Sequence, residues 1–203
     1  MRFELKRWIV RLMHLLTWPF ALPSMAAYRL AGSERVFQSC AMLLSLVPGR
    51  PGQYLRASFY LQTLKESSPD LAVGFASWFA HPAATVGRGV VIGSFSIVGT
   101  AMLADHVIIA SRVSILSGKY QHGGPFQAAN AAAAQPPTYE AVRIGRGSWL
   151  GEGSIVMADV GEGCIVSAGS VVTKPMPSRS TAVGNPARFI KMEGQEQWQQ
   201  ARS

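Results

Sequence analysis

Residues 86–116 read VGRGVVIGSFSIVGTAMLADHVIIASRVSIL, and the spacing inside this stretch decides the fold. Val86, Ile92, Val98, Ala104, Ala110 and Leu116 stand six apart, followed by Gly87, Gly93, Gly99, Asp105, Ser111 and Ser117. The beat returns at Ile144, Leu150 and Val156, and again at Val160, Val166 and Val172. A strand alternates at two and a helix at 3.6, so neither produces a beat of six. A backbone that turns a corner every six residues does. The apolar leader then points into a narrow core, and the small follower lets the chain turn tightly. Three such sides predict a triangular coil of about 18 residues, with successive coils paired about 4.8 Å apart. Only four residues separate Val156 from Val160, so one corner there is expected to be short.

Upstream of the repeat the character of the chain changes. Residues 1–65 carry nine Lys or Arg against two Glu, so seven of the eight net positive charges sit there. The rest of the chain is nearly neutral. Two apolar runs, WIVRLMHLLTWPFALPSMAAYRLA at 8–31 and VFQSCAMLLSLV at 36–47, hold most of the Leu, Trp and Met of this front end. Their clean stretches fall short of the roughly 20 apolar residues that a spanning helix needs. Basic residues set within such runs suit an anionic lipid surface better than nucleic acid, and no nucleic-acid partner is expected. Two helices lying on or dipping into a leaflet are predicted through residues 1–47. Arg2, Lys6, Arg7, Arg11, Arg29 and Arg35 would meet head groups, with Trp8 and Trp18 at the interface. Helices packed only on the main domain, a cleaved leader and a single span are the competing readings. After the breaker Pro48-Gly49-Arg50-Pro51-Gly52, residues 54–65 have helical spacing.

The 203 residues, 48% hydrophobic, suffice for one or two compact units. The expected organisation is a helical, basic and apolar membrane-associated segment at 1–72, a coil domain at 73–192 and a polar tail at 193–203. Two cysteines, Cys40 and Cys164, are too few for a disulfide framework and have no metal-ligand spacing. Between the repeat blocks, residues 117–141 read SGKYQHGGPFQAANAAAAQPPTYEA. A loop of that length inside a regular coil marks function or disorder.

The hexapeptide beat, IGRGSWLGEGSIV at 144–156 and VSAGSVVTKPMPSRSTAVGNPARFIK at 166–191 resemble the left-handed β-helix acyltransferases. Residues 46–65 together with SGKYQHG at 117–123 resemble a subgroup of bacterial polysaccharide O-acyltransferases. The resemblance implies a mainly β fold, a left-handed parallel β-helix, to be joined to the N-terminal membrane-associated α-helices read from the front end. It implies transfer of an acetyl or other short acyl group from acetyl-CoA to a sugar hydroxyl of a polysaccharide or its lipid-linked precursor, with no metal. His122 takes the position of the family's catalytic histidine. Ala168, Thr173, Lys174, Arg188 and Lys191 match cofactor-contacting positions. The resemblance also implies a homotrimer with each site between two subunits. Because the thioester is cytosolic, the expected location is the cytoplasmic side of the inner membrane.

The chemistry fits an imidazole. A sugar hydroxyl attacks a thioester only if its proton is taken as the bond forms, and an imidazole near its ordinary pKa of about 6.5 does this well. His14, His81 and His106 are read as structural. Glu152, an acid close to the expected phosphate path, is expected to face elsewhere. Zinc chemistry is disfavoured, since His106 and His122 stand 16 apart with His81 earlier still. A non-catalytic β-helix scaffold at the membrane is the alternative function.

Overall fold

A computed structural model describes residues 8–117 and 139–191. A helical stretch at 8–12 leads through Met13 into α1 (His14–Ala31), followed by α2 (Arg35–Ser45) and α3 (Gly49–Thr63). Gly32 ends α1 in the left-handed conformation, its N–H and that of Ser33 closing on carbonyls of the last turn. From Ala72 onward the chain winds as a three-faced parallel β-helix of very short strands.

The inward residues of the first face are Val73, Ile92, Ile109, Leu150, Val166 and Ala182. Those of the second are Phe79, Val98, Ile115, Val156 and Val172. On the third face Val86, Leu103 and Ile144 pair in register, and isolated bridges extend the stack to Val160 and Met176. All of these are buried and form one continuous core with Phe37, Phe59 and Tyr60 of the helices.

This register corrects the sequence frame. The expected leaders Ala104, Ala110 and Leu116 are only half-buried, while Leu103, Ile109 and Ile115 point inward. The step from Val98 to Leu103 is five residues, so the frame slips by one at the Gly99–Thr100 corner. The larger side chain of each adjacent apolar pair then fills the core. The uniform coil of 18 is not observed either. Paired inward residues on the first face are 19 apart from Val73 to Ile92, 17 to Ile109, and 16 from Leu150 to Val166 and on to Ala182.

The variation is confined to one edge. Steps from third to first face and from first to second are always six. Steps from second to third are seven (Phe79–Val86), five (Val98–Leu103), four (Val156–Val160) and four (Val172–Met176), and the insert lies between Ile115 and Ile144. The two constant edges turn through left-handed residues. One carries Ala76, Phe95, Arg112, Gly153 and Gly169, and the other Gly89, His106, Gly147, Gly163 and Arg179. His106 thus holds a turn, as its structural reading requires. Where a glycine follows the inward residue, coils touch backbone to backbone: a Cβ on Gly93 would lie 2.5 Å from the Ala110 carbonyl carbon.

The helices and the segment after α3 close on the first rung of the coil. Ala76 donates its N–H to the Ser45 carbonyl at 2.9 Å, Gln38 Nε2 donates to Ala80 O at 3.0 Å, and Glu66 bridges Thr85. The Tyr60 hydroxyl accepts the Phe79 N–H at 3.2 Å, and burial pushes that phenol's pKa well up. Arg56, fully buried, spans the junction. Its Nε donates to Val73 O, and its Nη1 donates to Leu44, Ser45 and Val47 carbonyls at the end of α2. Desolvation lowers its pKa, with no acid beside it; four carbonyl dipoles hold the charge instead.

Two measurements check this account. Ile115→Ala is expected to cost about 2–5 kcal/mol in urea unfolding and Leu116→Ala about 1 or less, the reverse of what the uninterrupted six-residue frame demands. Arg56→Met is expected to cost about 3 kcal/mol or more, because it strands several buried carbonyls at once.

Candidate active site

The edge that absorbs every change of coil length is also where the insert opens. Both ends of the insert are pinned. Glu140 donates its N–H to Ser117 O at 3.1 Å, the Ser117 hydroxyl accepts the Thr100 N–H at 2.8 Å, and Val142 N–H reaches Thr100 O. The residues between must therefore leave and rejoin the prism at one place on its edge. His122 lies outside the described residues, within the segment that this stem anchors.

Beside the stem, the Tyr139 ring packs on His81 with centroids 4.6 Å apart. His81 Nδ1 stands 2.6 Å from Glu34 Oε2, between α1 and α2. The insert's return end thus rests on an imidazole whose hydrogen bond to Glu34 ties coil to helices. Sequence reading missed this link, since Glu34, His81 and Tyr139 are far apart in the chain and share no motif. It treated His81 as structural, which the geometry supports. His14, also read as structural, turns inward within the apolar run, where Nδ1 meets Val10 O and Ser58 Oγ at 3.0 and 2.9 Å.

The five expected cofactor residues divide among the three edges. Thr173 and Lys174 follow Val172 on the insert's edge, two coils further along, with Lys174 exposed. Ala168 is an exposed turn residue on the neighbouring edge. Arg188 pairs with Val183 just past the first face, and so comes to Ala168's edge. Lys191 pairs with Ser180 at the opposite end of the same antiparallel strand, towards the third edge. Between Ala182 and Ala187 the chain turns through a cis Asn185–Pro186 bond, and Ser170 Oγ accepts the Gly184 N–H. Within one chain, then, the structure brings Thr173–Lys174 to the insert's edge, and Ala168 to Arg188, but does not line all five along one groove.

Glu152, expected to face elsewhere or the acceptor side, stands close to an expected cofactor residue with its charge paired. It sits in the turn stacked on Ala168, and Oε1 accepts from Arg112 Nη1 at 2.8 Å across the coils. On the insert's edge, Asp159 Oδ1 accepts the Arg143 N–H. On the third edge, Asp105 accepts the Arg88 N–H at 2.8 Å and has the Arg88 and Arg146 guanidinium groups beside it. Among the described residues no cluster of His, Cys, Asp or Glu could hold a metal ion.

No family model matches the chain. It is 37% identical over 113 residues to the serine acetyltransferase of Escherichia coli K12, covering 54% of this chain and 37% of that protein. The Salmonella typhimurium serine acetyltransferase gives 36% over 119 residues and 39% of its length. The chain therefore spans well under half of these relatives. Against the putative lipopolysaccharide biosynthesis O-acetyl transferase WbbJ of Escherichia coli K12 it is 29% identical over 196 residues. That match covers 86% of this chain and 96% of WbbJ. Among solved structures, a maltose O-acetyltransferase from Clostridium difficile 630 superposes with TM-score 0.68 at 23% identity, covering 84% and 91% of the two chains. The chain is thus similar in sequence to these acetyltransferases and shares the fold of the maltose O-acetyltransferase. A galactoside acetyltransferase solved with coenzyme A has the same fold, at TM-score 0.64 and 20% identity.

Asp105 gives a pH test of the coil. Its carboxyl is held below the usual range, first by the Arg88 N–H and then by the arginines. A depressed folded pKa stabilises above the unfolded value and loses that contribution as pH falls through the folded one. The gap in denaturation midpoint between the native chain and Asp105→Asn is therefore expected to be widest near neutrality and to close below about pH 4.

Proposed function

We propose that the chain is an acyl-CoA-dependent O-acyltransferase that moves an acetyl or other short acyl group to a sugar hydroxyl of a bacterial polysaccharide or its lipid-linked precursor. The observation that carries this reading is that the two ends of the insert, Ser117 and Glu140, leave and rejoin the prism on the same edge as Thr173 and Lys174. The near full-length similarity to WbbJ supports a saccharide acceptor, and the galactoside acetyltransferase's bound coenzyme A supports the donor. The left-handed sense of the coil belongs to the same reading.

In this mechanism the sugar oxygen attacks the thioester carbonyl carbon while His122 takes the hydroxyl proton. The carbon–sulfur bond then breaks, and the imidazolium returns the proton to the leaving thiolate. No covalent acyl-enzyme forms. Lys174 and Arg188 would meet the donor's phosphates, Lys191 would extend that charge, and Ala168 and Thr173 would allow close approach of the pantetheine arm.

The separation of these residues over three edges favours assembly. A donor seated between two copies could touch one copy's insert edge and another copy's Ala168–Arg188 edge, which a homotrimer provides. The exposed outward row Val91, Ile108 and Trp149 on the first face is apolar surface that such an assembly would cover.

The test is acyl transfer from labelled acetyl-CoA to cell glycans. His122→Ala is expected to lose about 10²-fold or more of the rate with unchanged circular dichroism. A variant keeping over about a tenth of the native rate removes His122 from the base role. Absence of coenzyme A binding in calorimetry removes the whole reading and favours a scaffold.

A further inference from the structure

The helix at 8–31 is built inside out. Its inner face towards α3 holds Val10, Thr17, Ala21 and Ser24, all buried, and the contacts there are largely polar. Thr17 Oγ1 meets Ser58 Oγ at 3.0 Å and accepts from Gln62 Nε2 at 2.7 Å, next to the His14–Ser58 bond. Its outer face carries Leu12, Leu15, Leu16, Trp18, Leu22 and Leu30, with Leu15 79% and Leu30 88% exposed. A surface helix of a water-facing domain shows the opposite arrangement, apolar inward and polar outward. Pro19 and Pro23 lie on the same outer side, so the carbonyls they leave without intrahelical donors open there too.

Charge frames this face. Arg11 and Arg29 are exposed along its flank and Arg35 follows at the start of α2. The one acidic residue at 8–65, Glu34, is engaged with His81. Two adjoining hollows, each of about 530 Å³, share Met25, Arg29 and Gln62. One is apolar and runs to Trp18, Leu22 and Leu30; the other is mixed, about half polar, and runs to Tyr28 and Lys65. An apolar trough that ends between an arginine and a lysine matches an acyl chain ending in a phosphate.

We infer that the outer face of the 8–31 helix is a seat for an anionic phospholipid surface, with one lipid phosphate held between Arg29 and Lys65. The helix lies in the plane of the leaflet: among the described residues no helix is long and apolar enough to cross a membrane. A second copy of the chain is the weaker occupant, because it would bring arginine to arginine with no acid anywhere in the 8–31 helix to neutralise them. The seat is independent of the acyl-transfer reading, and coenzyme A binding measured without vesicles tests that reading separately.

Flotation of the full chain with vesicles decides it. The native chain is expected to float with vesicles one-third phosphatidylglycerol in phosphatidylcholine and much less with phosphatidylcholine alone. Leu15→Asp with Leu22→Asp, both at exposed positions, is expected to abolish flotation with the thermal unfolding curve unchanged. Arg29→Glu with Lys65→Glu is expected to weaken binding to the anionic vesicles by at least about tenfold and to spare binding to neutral ones. The inference is overturned if the native chain floats with neither vesicle or if the double aspartate variant floats as well as native. It is equally overturned if the aspartates instead dissociate a dimer seen by sedimentation without lipid. Equal binding of the double glutamate variant to both vesicles at native strength would remove the phosphate site.

Discussion

Every rung of a parallel coil has to find its backbone partners on the next rung at a fixed register, and this constraint governs the rest of the molecule. Where Gly74, Gly87 or Gly93 follows an inward residue, the next coil's backbone already occupies the space of a Cβ. Faces in such contact cannot change length without breaking pairs on both sides. Insertions and deletions must then collect where pairing is least demanding, and here they collect on one edge. That edge alternates between seven, five and four residues and tolerates the long insert, while the other two hold a constant turn. The same stiffness that fixes the faces leaves one edge free to carry chemistry.

Much of this was legible in the sequence because a beat of six has a single structural solution. The first error arose where the beat itself is ambiguous. Leu103-Ala104, Ile109-Ala110 and Ile115-Leu116 are adjacent apolar pairs, so either member can be read as the leader. Only the short corner at Gly99–Thr100, visible once coils are stacked, decides between them. The shortened step at Val156–Val160 was readable because Asp159 and Gly161 flank Val160 and leave no other apolar residue beside it to be read as the leader. The candidate site was legible in part. Thr173 and Lys174 share the insert's edge, but the distribution of Ala168, Arg188 and Lys191 over other edges depends on the antiparallel return of residues 188–191, which no local pattern announces. His122 lies outside the described residues.

The helical front was harder to read for a different reason. Its apolar content was evident, yet which side faced the coil was not, because the buried side is made of Thr, Ser, Ala and His. A helix that spends its small and polar residues on packing gains close approach to α3 and a hydrogen-bonded contact with Ser58 and Gln62. It leaves its leucines for another medium. Arg56 supplies what the apolar contacts there lack in direction, gathering the end of α2 and the first rung of the coil around one guanidinium.

The helices do one thing more. By hydrogen-bonding to the first rung, with Glu66 bridging Thr85 just after α3, they obstruct the template on which an identical prism could add end to end. At the far end the antiparallel strand 188–191, with Gly184 and Ala187 against Val171, covers two of the three faces. A solenoid so stoppered cannot grow into a filament. Association between copies is thereby steered to the flanks.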